Sequence, residues 1–270
     1  MSRSALLQAV LIIACLGLTA FLYFSPKTML TPKVSSAAVG SDFIFEQAKR
    51  KLQRQEVTSI NELEKILETK TGSDRLTLLD SLAYRWDVLN EPAAAAEYYK
   101  KMAEINASEK SWGDAAQRYL AALRTENDSA TGGWLLEQAI ACYNKVVEIN
   151  PENIDAKMDL ALCYAETSNP MQGIMMLREI AQKHPENDKA QMNLGILSIR
   201  SGQFDKAVER FKKALELNPS QTEAYYFLGY SQVQKGDSAL ALEAFKKYSE
   251  SGKDAQLLKE ANVYIDHFKN

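Results

Sequence analysis

Residues 188–221 read DKAQMNLGILSIR-SGQ-FDKAVERFKKALEL-NPSQ, two helical segments parted by a three-residue turn and closed by Asn218-Pro219. Reading outward, the same kinds of residue return every 34 positions: Pro151, Pro185 and Pro219; Leu160, Leu194 and Leu228; Ala161, Gly195 and Gly229; Gly173, Ala207 and Ala241; Leu177, Phe211 and Phe245. Chance does not align so many columns. A period of this length with two helices per unit predicts a stacked array of helix pairs, none of which can bury its own apolar face. Gly195 and Ala207 mark where the two helices cross closely, and Leu194 and Phe211 fill the space beside the crossing, with Ala214 also on the second helix. Pro219 cannot continue a helix, so it stops the second segment and sets the turn into the next unit.

The chain has 270 residues, 25% of them charged and 46% apolar, a composition that supports a substantial core. Its net charge of -3 is unevenly spread. Residues 1–41 hold Arg3, Lys27 and Lys33 and no acid, so all 35 acids lie in the body of the chain. A mildly acidic body lacks the basic stripe that a phosphate backbone requires, which argues against nucleic-acid binding. Cys15, Cys142 and Cys163 form neither a CxxC pair nor an even disulfide framework, and no metal site is expected. Cys142 and Cys163 fall on consecutive helices and could bridge in an oxidising compartment; the simpler reading is two small buried thiols.

From Ala5 to Phe24 the chain reads ALLQAVLIIACLGLTAFLYF, twenty residues without a charge. At a helical rise of ~1.5 Å per residue this spans roughly the 30 Å hydrocarbon layer. The small pair Ser36 and Ala38 lies well past Phe24, so an uncleaved anchor fits better than a cleavable signal, with Tyr23 and Phe24 at the interface. Ile12, Ile13 and Ala14 before Cys15 loosely match a lipidation box, but the apolar run continues beyond that cysteine. Arg3 on one side and Lys27 and Lys33 on the other leave orientation weakly set; the short tail, residues 1–4, favours a cytoplasmic amino terminus and extracytoplasmic, periplasmic repeats. Residues 25–41, with two prolines and several Ser, Thr and Gly, read as a linker.

The repeated columns resemble the tetratricopeptide repeat: a large residue, Leu-Gly and Tyr on the first helix, then Ala, Phe, Ala and Pro on the second. Units 154–187, 188–221 and 222–253 match without gaps, although Tyr248 and Lys253 replace the usual small residue and proline of the last. Leu79, Leu82, Ala83, Trp86, Ala95 and Tyr99 place another unit at 76–108, and YKKMAEIN at 99–106 echoes FKKALELN at 211–218. Unit 109–153 opens with Trp112, Ala116 and Tyr119, but Ala139, Tyr143 and Pro151 arrive eleven residues late, so TENDSATGG at 125–133 is expected as a protruding loop between lengthened helices. Residues 42–75 read as a degenerate unit. Residues 254–270, with Leu257, Leu258, Ala261, Tyr264 and Ile265, read as the capping helix that such arrays need. The resemblance implies an all-α, right-handed superhelix, here carried on a single transmembrane helix.

No catalytic constellation is visible. His184 lies beside a turn and His267 in the last helix, the nucleotide, phosphate-loop, hydrolase and zinc-protease patterns are absent, and no cofactor is implied. In the family, first helices line a groove that receives peptides. The resemblance therefore implies a groove formed by Met158, Asp159 and Leu162, then Met192, Asn193 and Ile196, then Tyr226, Phe227 and Tyr230. The alternative is that these side chains pack against neighbouring helices. Family members that grip the acidic tails of chaperones use cations and asparagines where this chain has Met158, Leu162, Asn193, Glu223 and Phe227; Glu223 would repel such a tail. The sequence thus implies a membrane-anchored, non-enzymatic scaffold for a protein or peptide partner, with self-association as a second outcome. An envelope-assembly chaperone, a lipoprotein, or an enzyme with a site in the 125–133 stretch are the rivals.

Overall fold

A computed structural model describes residues 39–269, which form thirteen α-helices. Among these residues no helix is long and apolar enough to cross a membrane. The proposed span at 5–24, Cys15 and linker residues 25–38 lie outside the described part.

Two compact units divide the chain, the first ending at Met176 and the second starting at Leu177. In the first, α1 (Ser41–Arg50) packs on α4 (Pro92–Ile105), and α2 (Arg54–Thr69) on α3 (Gly72–Val88). The helices of this degenerate start are therefore not chiefly paired with each other. Arg75 Nη1 donates to the Leu67 carbonyl at 2.7 Å and so satisfies the end of α2. From α3 onward each helix lies against the next, through α5 (Glu109–Thr125), α6 (Ser129–Ile149) and α7 (Ile154–Ala165). Two cores result, one around Leu79, Leu82, Trp86 and Tyr98, the other around Trp112, Tyr119, Leu135 and Tyr143.

The stretch 125–133 is no protruding loop. Only residues 126–128 connect α5 to α6, and the extra residues are absorbed into helices of 17 and 21 residues. The Asp128 carboxylate caps α6 by accepting from the Thr131 amide at 2.7 Å, and Thr131 and Gly132 are buried, so the turn-like string folds as the first turn of a helix.

The second unit contains α9 (Asp188–Arg200), α10 (Phe204–Leu217), α11 (Glu223–Lys235), α12 (Ser238–Ser251) and α13 (Ala255–Lys269); α8 (Met171–Lys183) straddles the boundary in sequence. Consecutive helices again pack, and α13 lies on α12, where Tyr264 stacks on Phe245 at 4.7 Å between centroids. Ala261 and Ile265 are buried in the same core, while Leu257 and Leu258 pack against it.

The columns have physical counterparts. The Phe211 ring fills the space over Gly195, where an added Cβ would lie 2.6 Å from it, and Phe245 sits likewise over Gly229 at 2.9 Å. In the 154–187 unit the small residue is on the second helix: a Cβ at Gly173 would stand 2.0 Å from the Ala161 carbonyl oxygen. The turns follow a column too, for Asn90, Gly202 and Gly236 all adopt positive φ between the two helices of their units. Asn150 and Asn218, at the ends of second helices, donate to Glu109 and Asp188 in the first turn of the first helix, closing each unit on itself.

The glycines therefore divide by neighbour. Gly173→Ala presses on backbone and should destabilise most; Gly195→Ala meets a ring that can shift and should cost about 1–3 kcal/mol. At Gly113, in α5, a Cβ would meet nothing within 4 Å, so Gly113→Ala should stabilise by about 0.5–1 kcal/mol through helix propensity alone. Denaturant unfolding of the three variants checks the order.

Candidate functional site

The residue directly after each Leu-small pair on a first helix shows how much of that face stays open. It is Tyr84 after Leu82-Ala83, Gln117 after Ala115-Ala116, Leu162 after Leu160-Ala161, Ile196 after Leu194-Gly195 and Tyr230 after Leu228-Gly229. Tyr84 is 69% exposed, Gln117 exposed, Leu162 and Ile196 half-buried, and Tyr230 7% exposed. Leu82, Leu160 and Leu194 are buried, as is Ala115 at the same place, and Leu228 is half-buried, so the successor lies toward the outer edge of the helix and what packs beside it decides its exposure.

In the first unit, Met158 is buried, Asp159 is half-buried and accepts a 3.0 Å hydrogen bond from Tyr143 Oη, and Leu162 is half-buried. In the second, Met192, Tyr226 and Tyr230 belong to the core, with Ile196 and Phe227 packed against it and Asn193 half-buried. Phe227 stacks on Phe211 at 5.7 Å. Tyr226 lies edge-on to Phe245 and Tyr248, and its hydroxyl donates to Glu260 of α13. The structure thus brings the second unit's six groove residues together, but Met192, Tyr226 and Tyr230 hold the fold rather than offer a face. Asp159, Leu162, Asn193, Ile196 and Phe227 retain exposed surface.

Reading the groove only from the gap-free units missed α3. Tyr84 and Val88 stand one turn apart, 69% and 66% exposed, on a face that also carries Thr77, Asp80 and Ser81. The same register laid on 76–108 leads to Tyr84. Beside it, Arg118 of α5 pairs with Asp87 at 3.1 Å and lies over the Tyr99 ring at 4.9 Å.

A cavity of about 400 Å³ opens between α1, α2, α3 and α4. Its polar lining is largely self-satisfied: Lys49 pairs with Glu64 at 2.7 Å, Glu64 accepts from Tyr98 Oη at 2.7 Å, and Lys101 Nζ rests 4.9 Å from the Phe45 and Tyr98 rings.

A tetratricopeptide repeat family model matches residues 192–255, and a second one residues 135–153. The chain carries tetratricopeptide repeats. Among solved structures, a tetratricopeptide-repeat protein from Parabacteroides merdae ATCC 43184 has 16% identity and a TM-score of 0.50, covering 85% of this chain and 99% of its own. The MamA RS-1 ArsTM double mutant has 20% identity and a TM-score of 0.50, covering 72% and 99%. YrrB, described as a tetratricopeptide-repeat protein with an unusual peptide-binding site, has 19% identity and a TM-score of 0.45, covering 74% and 97%. The likeness at a TM-score of 0.50 is one of fold. No curated protein matches.

Among the described residues no group of His, Cys, Asp and Glu could hold a metal ion. Cys142 and Cys163 are buried free thiols, and burial pushes each up to about 12. The charges around Cys142 are Lys100, Glu97 and Glu104, whereas Asp159 and Glu166 surround Cys163, so the two thiols face different surroundings. Lys213 and Glu216 pair at 3.1 Å on a solvated face.

Buried tyrosines instead tie helices together. Tyr98 donates to Glu64, Tyr119 to the buried Glu97, Tyr143 to Asp159 and Tyr226 to Glu260. Burial raises the pKa of all four phenols above the ordinary value, and the adjacent carboxylates raise it further. The folded chain therefore keeps these protons where the unfolded chain, with phenols near ~10, releases them. Stability from this source is whole below about pH 10 and declines as pH rises beyond it. Tyr119→Phe, which leaves Glu97 without its donor, should cost about 1–3 kcal/mol at neutral pH and flatten that decline. Denaturant titrations at pH 7 and pH 11 read both effects. The two thiols should resist a disulfide reagent at pH 8 until the chain unfolds.

Proposed function

We propose that this protein is a non-enzymatic scaffold that binds a protein or peptide partner along the exposed edges of its first helices. The observation that carries the reading is the residue after each Leu-small pair, apolar or aromatic at Tyr84, Leu162, Ile196 and Tyr230 and solvent-accessible at the first three. In the second unit, Phe227 and Asn193 on first helices are likewise half-buried. An aromatic and aliphatic lining with few charges suits an amphipathic or extended segment, for which tyrosine supplies area at small entropic cost.

The tether belongs to the same proposal. Residues 5–24 are long enough and apolar enough in sequence to anchor the chain, and the proposal places the repeats on the extracytoplasmic side. Anchoring would confine the binding edge to one membrane face and raise the effective concentration of membrane partners, so a weak site suffices.

Leu162→Lys and Ile196→Lys change half-buried residues without opening the core. Crosslinking of the intact protein in native membranes should yield a defined partner that each variant captures at most about a tenth as well, as expected when an apolar contact worth ~1.5 kcal/mol or more is lost. Unchanged capture by well-folded variants would reject the edge as the binding site. Protease added to sealed, right-side-out membranes should degrade the repeats; protection would reverse the sidedness.

A further inference from the structure

We propose that the cavity between α1, α2, α3 and α4 is a binding site for a small aliphatic diamine or polyamine, a function separate from partner binding along the first-helix edges.

The observation that carries this is an ammonium held by rings in place of a carboxylate. Phe45 of α1 and Tyr98 of α4 stand with ring centroids 5.2 Å apart and planes tilted by 55°, and the two rings form a wedge. Lys101 Nζ sits 4.9 Å from both centroids, and among the described residues no acid is paired with it. An ammonium within about 6 Å of a ring centroid is attracted by the negative face of the ring, and two rings together act as a cage that selects cations. The chain thus displays in its own side chain what the cavity accommodates: the charged end of a flexible aliphatic stem.

The rest of the lining has the same preference. Asp42 and Glu46 come from α1 and Glu64 and Glu68 from α2, each pair one turn apart, so carboxylates reach the cavity from two helices. The cations of the lining are Lys49, Arg75 and Lys101, which leaves negative charge in excess. Glu64 is fully engaged, pairing with Lys49 through one oxygen and accepting from Tyr98 through the other, and Arg75 donates to the Leu67 carbonyl. Asp42, Glu46 and Glu68 are exposed and, among the described residues, have no base paired to them. An anion entering here would meet these carboxylates around a single available ammonium, whereas a cation meets attraction from both helices. A ligand with an ammonium at each end satisfies α1 and α2 at once; a singly charged one satisfies only one of them. The volume of about 400 Å³ falls in the range of small-molecule sites, roughly 300–1,000 Å³.

Lys101 is then an internal stand-in for the ligand. Its flexible stem can turn to solvent without breaking an ion pair, and its departure frees both rings and increases the excess of negative charge. Binding therefore competes with Lys101, and the observed affinity is reduced by the fraction of molecules in which Lys101 occupies the rings.

The test is calorimetric titration of the intact chain in nonionic detergent micelles at low salt, with cadaverine as the probe and the amino alcohol of equal length as the singly charged control. Cadaverine should bind about fivefold more tightly than the amino alcohol, or better. Lys101→Ala should tighten cadaverine about threefold to tenfold by removing the internal competitor. Phe45→Leu, which keeps apolar bulk but removes a ring, should weaken it about fivefold or more. Glu46→Gln/Glu68→Gln, which changes only exposed groups, should weaken it about threefold or more and flatten its salt dependence. Melting curves confirm that the variants stay folded. Absence of binding to Lys101→Ala, equal affinity for the two probes, or an affinity indifferent to both the ring and the carboxylate changes overturns the proposal, the last because it marks general attraction to an acidic chain. The scaffold reading fails separately: unaltered partner capture by the Leu162 and Ile196 variants rejects it and leaves amine binding untouched.

Discussion

The structure depends on how closely the two helices of a unit can approach. Where Gly195 faces Phe211 and Gly229 faces Phe245, the absent side chain lets a ring occupy the crossing, so one large residue serves both helices. In the 154–187 unit the exchange is reversed, and Gly173 lets the backbone at Ala161 come near instead. That close approach fixes which side of each first helix turns inward, and hence which side remains for solvent or a partner. The left-handed turn residues Asn90, Gly202 and Gly236 and the Asn150 and Asn218 bonds keep the pair in that arrangement.

A second layer of constraint is polar. Buried tyrosines reach from one helix to a carboxylate on another, as Tyr119 does to Glu97 and Tyr226 to Glu260. Apolar packing tolerates sliding, whereas a phenol that must meet a carboxylate fixes register along the helix axis. Tyr226 shows the consequence for function: it is claimed by α13 and closes the core of the second unit, whereas Tyr84 in the first unit keeps its surface.

The repeat was legible because its columns carry sterics. Leu-Gly, Phe and Pro at fixed spacing can mean little else, and the helices at 188–200, 204–217, 223–235 and 238–251 follow them. The string at 125–133 misled because Asn, Asp, Ser and Gly serve both turns and helix starts; Asp128 is a cap, and only its bond to Thr131 distinguishes the two. The groove was half legible. Periodicity ranks positions by direction, but the burial of Met158, Met192, Tyr226 and Tyr230 depends on neighbours that lie outside their own unit's pattern. Tyr84 could have been found by extending the register one unit toward the amino terminus.

Fold and function are thus divided along the first helices, with Leu82-Ala83, Ala115-Ala116, Leu160-Ala161 and Leu194-Gly195 facing in and Tyr84, Gln117, Leu162 and Ile196 keeping surface, whereas Tyr230 is drawn into the core. The most direct measurement of that division is a scan of single lysine substitutions over exposed positions of first and second helices in the intact protein, reading co-purified partner per folded molecule. Losses should cluster at first-helix positions such as Tyr84, Gln117, Leu162 and Ile196. Losses that cluster instead at second-helix positions such as Met175 and Leu240 would contradict the account.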